Sequence, residues 1–191
     1  MTKLNLPTEQ LKKIRQLTKV EKARSYQFLG YSLDLETGEF LDLFEKGVVH
    51  NEWALQNITA LLVHYSLAYE TPKSGKLIKF RDLPGGYAYE HAFIQRAVNP
   101  IAQVFGNSQT QLVEAAKLLK GNRVDFGELS VEIPALEGIP LIYILWVGYE
   151  FSASANVLFD ESARCFLDTE SLAVLGELTT QRLLKAHSII E

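Results

Sequence analysis

Residues 124–159 read VDFGELSVEIPALEGIPLIYILWVGYEFSASANVLF, and this stretch decides the fold. Four strand-like runs lie inside it: Val124–Phe126, Leu129–Ile133, Leu141–Val147 and Asn156–Phe159. They are rich in β-branched and aromatic residues, and glycine or proline separates most of them. Consecutive strands without an intervening helix favour a sheet of hairpins. Working outward toward the N-terminus, Tyr26, Phe28, Tyr31, Leu33, Leu35, Phe40 and Leu43 follow a period of two, with Thr37-Gly38 as a hairpin turn. Strands cluster at both ends, helices lie in the middle and at the C-terminus, and regular β-α-β alternation is missing. The expected class is α+β, a mainly antiparallel sheet packed against several helices in one domain over 1–191.

The helices carry their own signals. Thr8 is a candidate cap for a basic, peripheral helix within residues 1–24, with Leu11, Ile14 and Leu17 as a thin apolar stripe. Asn51 caps the clearest helix, Glu52 to about Tyr69, where Leu55, Ile58, Leu62, Tyr65 and Tyr69 recur at threes and fours. A helix is expected from about Tyr87 to Val98, with Asn99-Pro100 restarting it. Ser108 with Gln111 reads as a capping box for the next. Asp168 or Thr169 caps the last, with Leu172, Leu175, Leu183, Ala186 and Ile190 inward and Gly176 allowing close approach.

Composition removes several classes of function. The 191 residues are 47% hydrophobic and 22% charged, the balance of an ordinary globular domain. Cys165 is the single cysteine, so an internal disulfide and a four-thiolate zinc or iron–sulfur site are both excluded. No apolar run approaches the roughly 18 residues of a membrane span. The N-terminal residues lack a signal-peptide apolar core, so the expected address is the cytoplasm. A net charge of −4 argues against nucleic acid as the main partner. The charge falls in blocks: +5 over 1–24, −6 over 25–70, +5 over 71–123 and −8 over 124–191. Such blocks either steer an anion or a partner to the basic centre or intermix on folding as solvated faces.

The segment from Lys73 to Arg96 holds the most chemistry. Lys76 precedes a strand, Leu77–Phe80, that carries Lys79; with Arg81 just beyond it, the strand enters Leu83-Pro84-Gly85-Gly86 and then a helix start. Free amides, the helix dipole and nearby cations suit an anion there. Lys79, Arg81, Gly85, Gly86, Tyr87, Tyr89 and Arg96 are therefore the candidate ligand-binding residues. The competing view is a strand–turn–helix connection whose glycines answer a backbone need. The segment matches neither the phosphate-binding P-loop nor the dinucleotide fingerprint. His91 with Asp82, and Glu90 beside it, form the one candidate acid–base group.

Other features read more plainly. His50, His64 and His187 stand apart, and His64 reads as a core or edge histidine. No histidine or cysteine pair has metal-ligand spacing. Cys165, ahead of Phe166 and Leu167, reads as a buried, inert thiol. Tyr143, Trp146, Tyr149 and Phe151, with Trp53 and Phe159, either line a pocket for a flat cofactor or belong to the core, and core is the commoner fate of strand aromatics.

Phe80-Arg81-Asp82-Leu83-Pro84-Gly85-Gly86 followed by Tyr89, Phe93 and Arg96, and Asn156-Val157-Leu158-Phe159-Asp160 further on, carry a family likeness. Pro140-Leu141, Leu145-Trp146, Glu150-Phe151 and Thr169-Glu170 extend it from about Tyr26 to Leu184. The chain resembles a prokaryotic family of unknown function found mostly in anaerobic bacteria and archaea. Some of its members carry an appended cysteine-rich segment read as an iron–sulfur cluster module. The resemblance implies a link to such metabolism by fusion alone and transfers no catalytic role. Three readings follow: a non-catalytic module binding an anionic small molecule, cofactor or protein partner through 76–96; an enzyme using His91 and Asp82; and a structural subunit of a larger complex.

Overall fold

A computed structural model describes residues 2–20, 22–148 and 152–190. It is α+β with two antiparallel sheets rather than one. The first sheet contains β1 (Thr2–Lys3), β2 (Ser25–Phe28), β3 (Tyr31–Asp34) and β4 (Glu39–Asp42), in the order β1-β4-β3-β2. Tyr26, Phe28, Tyr31, Leu33 and Phe40 supply its buried face. Phe28 pairs with Tyr31 across Leu29-Gly30, whose φ values of 48° and 72° give the left-handed pair that a two-residue hairpin requires. Leucine carries no turn signal, so the sequence shows the Gly38 turn and hides this one.

The second sheet holds β5 (Leu77–Lys79), β6 (Asn122–Val124), β7 (Leu129–Leu136), β8 (Ile139–Trp146) and β9 (Ser154–Asp160), in the order β5-β9-β8-β7-β6. Its last four strands are the meander expected from residues 124–159, with β6 starting two residues earlier. Along β8, Leu141, Tyr143 and Leu145 face the core, fully buried. Ile142, Ile144 and Trp146 take the opposite face, as alternation demands.

The helices are α1 (Thr8–Leu17), α2 (Glu52–Ser66), α3 (Gly86–Phe93), α4 (Asn99–Phe105), α5 (Gln109–Leu118) and α6 (Thr169–Ile190). No described helix is long and apolar enough to cross a membrane. Asn51 caps α2 by accepting from the Ala54 amide at 3.1 Å, and Asp168 caps α6 through the Ser171 amide at 2.7 Å. Other caps differ from expectation. Pro7, not Thr8, precedes α1, and its carbonyl takes the Gln10 and Leu11 amides. Ser108 makes no capping bond; its hydroxyl meets the Thr110 hydroxyl instead. Tyr69 lies beyond α2 at 85% exposure, and Ile190 at the end of α6 is also exposed.

Between α3 and α4 the helix does not stop and restart. It passes through a π turn over Ile94–Val98, where the Asn99 amide reaches back five residues to the Ile94 carbonyl. Pro100 explains the slip: it has no amide to give, and its ring would collide with the carbonyl four residues earlier. Inside the molecule Thr180 Oγ1 donates to the Ala97 carbonyl at 2.7 Å, and the Tyr143 hydroxyl lies 3.1 Å from Thr180 Oγ1. This network ties α6 to both the π turn and β8. Burial pushes the Tyr143 hydroxyl far above the ordinary phenolic range, so it stays a neutral donor.

Charge blocks of opposite sign meet across the fold. Lys19 pairs with Glu70, Lys73 with Glu132, Lys76 with Glu161 and Arg96 with Glu177. The basic central block is thereby partly neutralised by acids from its neighbours.

Candidate functional site

Residues 77–96 form a strand, a 3-10 turn and a helix start. Phe80 opens the turn and stacks on Phe93 of α3, with ring centroids 4.2 Å apart, while Phe159 of β9 closes the trio. Asp82 accepts from the Lys79 amide at 3.1 Å. Gly85 then takes φ +75°, and Gly86 follows so tightly that an added Cβ would lie 2.1 Å from the Phe80 carbonyl oxygen. Both glycines have a conformational reason to be there. The turn also consumes amides that an anion would need: Gly86 donates to the Leu83 carbonyl at 2.8 Å and Ala88 to the Gly85 carbonyl at 3.2 Å.

The candidate cations do not converge. Arg81 lies 3.7 Å from Glu90 and over the ring of Tyr87, at 5.4 Å from its centroid. Lys79 is exposed on edge strand β5. Arg96 lies 3.7 Å from Glu177 of α6. His91 is exposed and within 3.3 Å of the Gln95 amide nitrogen, and no hydrogen bond joins it to Asp82 among the described residues.

What the fold does bring together is Tyr89 and Arg96, seven residues apart, with the first half of α6. They share a cleft of about 430 Å³ with Phe80, Phe93, Glu170 and Glu177. The volume lies within the range of small-molecule sites. Thr169, Ala173 and Val174 complete the α6 wall, and Thr169 Oγ1 donates to the Pro84 carbonyl at 2.7 Å. Gly176 lets α6 approach closely, since a Cβ there would meet the Phe93 ring at 2.5 Å. The sequence reading missed the α6 wall. Its signal is the spacing Glu170, Ala173, Val174, Glu177, a face of small residues bracketed by acids.

Of three other expectations, the first is overturned. Cys165 is exposed, because it ends a 3-10 turn at the surface and Phe166 and Leu167 point inward in its place. Tyr143 and Trp146 lie on opposite faces of β8, so they share no pocket, while Tyr149 and Phe151 lie outside the described residues. His64 sits at the α2 edge, its Nδ1 2.8 Å from the Ser171 hydroxyl. Among the described residues no group of three His, Cys, Asp or Glu is arranged to hold a metal ion.

Residues 27–182 match the family model described as Domain of unknown function (DUF3786). The chain belongs to this family. The matched span of this DUF3786 domain takes in both sheets from Gln27 of β2 onward and the whole α3–α6 cleft. No curated protein and no solved structure matches the chain significantly.

Proposed function

We propose that this DUF3786 domain is a binding module that holds a small ligand in the cleft between α3 and α6. One observation carries the reading. Tyr89 and Arg96, two of the residues singled out from sequence, face one concavity floored by Phe80 and Phe93. An aromatic floor with a few polar groups at the rim is the usual make-up of a ligand site. Arg96 supports an anionic group on the ligand, because at 3.7 Å its contact with Glu177 is longer than a charge-assisted hydrogen bond and the side chain is 67% exposed. The π turn that carries Arg96 adds weight, since such turns are frequent at functional sites.

The enzyme reading has less support. Asp82 is engaged by the Lys79 amide, His91 contacts Gln95, and neither lines the cleft. Fused relatives with iron–sulfur segments, which the sequence likeness implies, would place this module beside a cluster that it does not itself ligate.

Native mass spectrometry of protein isolated without oxygen from its producing cells tests the binding reading. The expected result is a bound mass in the wild type that disappears in Ala92→Trp, where an indole fills the cleft from its exposed wall. A bare mass in the wild type, or a bound mass unchanged by Ala92→Trp, overturns it.

A further inference from the structure

The ligand's charge pattern follows from how the two helical walls face each other. Pro84 is bonded to Thr169, Phe93 abuts Gly176, and Arg96 pairs with Glu177. The walls therefore run in the same direction, and Tyr89 stands toward the Thr169–Glu170 end. The cleft has two unlike ends. At one end Arg96 offers a guanidinium that Glu177 holds only loosely. At the other, Glu170 is exposed and has no ion-pair partner among the described residues, and Tyr89 lines the facing wall.

A carboxylate near an exposed tyrosine ring recognises a cation, through a charge-assisted hydrogen bond and the negative ring face. Arg96, Glu170 and Glu177 together give the lining a formal charge of −1, so a purely anionic ligand meets net repulsion. Glu170 and Glu177 are seven residues apart on α6, which spans about 10 Å along the helix. Between them lie Ala173 and Val174, opposite Ala92 and Phe93, an apolar and uncharged middle.

We infer that the cleft takes a linear zwitterion about 10 Å long, with the length of about three extended peptide residues: an ammonium on Glu170 and Tyr89, an apolar middle over Phe93, and a carboxylate on Arg96. The inference rests on the cleft being the binding site. Arginine has five donors, so Arg96 serves the ligand carboxylate without giving up Glu177.

The probe is the tripeptide Ala-Phe-Ala, in free, N-acetylated and C-amidated forms and in one blocked at both ends, titrated into the full ¹⁵N-labelled chain. Amide shifts over residues 86–98 and 169–177 are expected with the free peptide. Blocking either end weakens binding about tenfold, the loss of one charge-assisted contact. Glu170→Gln abolishes the preference for a free ammonium and keeps that for a free carboxylate; Arg96→Gln does the reverse. Both side chains are exposed, so neither change threatens folding. If the doubly blocked peptide shifts the same amides at the same affinity, the charge pattern is overturned while the cleft stands. If no form shifts them, the peptide-length zwitterion is overturned, and the native-mass result with Ala92→Trp decides the cleft independently.

Discussion

Two arginine–carboxylate pairs meet α6 five residues apart, at Glu177 and at Arg182, and their surroundings differ in every respect that governs an ion pair. Arg182 binds Asp42 of β4 in a two-pronged fork, Nη1 to Oδ2 at 2.7 Å and Nη2 to Oδ1 at 2.9 Å, with both side chains 6% exposed. Its Nε donates to the Leu29 carbonyl at 2.8 Å, and its guanidinium lies against the rings of Tyr31 and Phe44 at 4.0 and 4.4 Å. Arg96 has a single carboxylate contact at 3.7 Å and faces open space. The first pair joins α6 to the hairpin turn and to β4. The second leaves donors available. One chemical pairing thus serves architecture where it is enclosed and recognition where it is open.

The largest effect separating them is on stability. Arg182→Ala strands the Asp42 carboxylate in a buried site and is expected to cost about 3–5 kcal/mol, on the order of 10 °C in Tm for a domain of this size. Urea unfolding measures it. The double variant Asp42→Leu with Arg182→Met removes both charges and recovers more than half of the loss. A single variant within about 1 kcal/mol of wild type would break the distinction.

Next comes Gly176, one residue from Glu177. Gly176→Ala drives a methyl into the Phe93 ring and is expected to cost about 1–3 kcal/mol by overpacking. Its effect falls on the cleft side of α6, so amide shifts should concentrate at residues 89–98 and leave Leu29, Gly30 and Asp42 unchanged. Shifts at the Arg182 clamp instead would show that the two pairs are mechanically one unit.

Acid probes the enclosed pair. Burial pushes the Asp42 carboxyl up, but Arg182 and the Phe44 and Glu45 amides outweigh it and hold the group below the ordinary range. Asp34 behaves alike: burial raises it, while the Thr37 and Glu36 amides and Arg24 bring it down to about 2. A carboxyl depressed in the folded state contributes stability above its unfolded value of about 4 and loses it as pH falls through the folded value. Stability should therefore drop on acidification from about pH 5 to pH 2, less steeply in Arg182→Ala than in wild type. Equal slopes in the two proteins would remove the clamp from the account.

The legibility of the molecule follows the range of its interactions. The meander over β6–β9, the Asn51 cap and the inward stripe of α6 rest on neighbours a few residues apart, and periodicity exposes them. The Arg182 clamp joins residues 140 apart in sequence and the cleft joins residues about 80 apart, so no local pattern announces either. Tyr89 and Arg96 are legible only as two of seven candidates in one basic segment, and their partner wall is set by Gly176 and Thr169, which read locally as packing and capping. The π turn shows the same limit: Asn99-Pro100 marks a disturbance, but the hydroxyl that donates to the Ala97 carbonyl comes from Thr180, 83 residues away.

The smallest expected effect is also the sharpest contrast. Arg96→Ala removes an exposed side chain from an exposed pair, and such pairs contribute within about 0.5 kcal/mol, so urea unfolding should scarcely change. If the native protein carries a bound mass, the same substitution should lower its occupancy, because the guanidinium is the cleft's single cation among the described lining residues. Stability and occupancy then move independently: Arg182→Ala lowers stability far more than Arg96→Ala, while Arg96→Ala lowers occupancy with the fold intact. A measurable stability loss in Arg96→Ala with the bound mass retained would assign this pair to packing, and the difference between the two arginines would become one of degree.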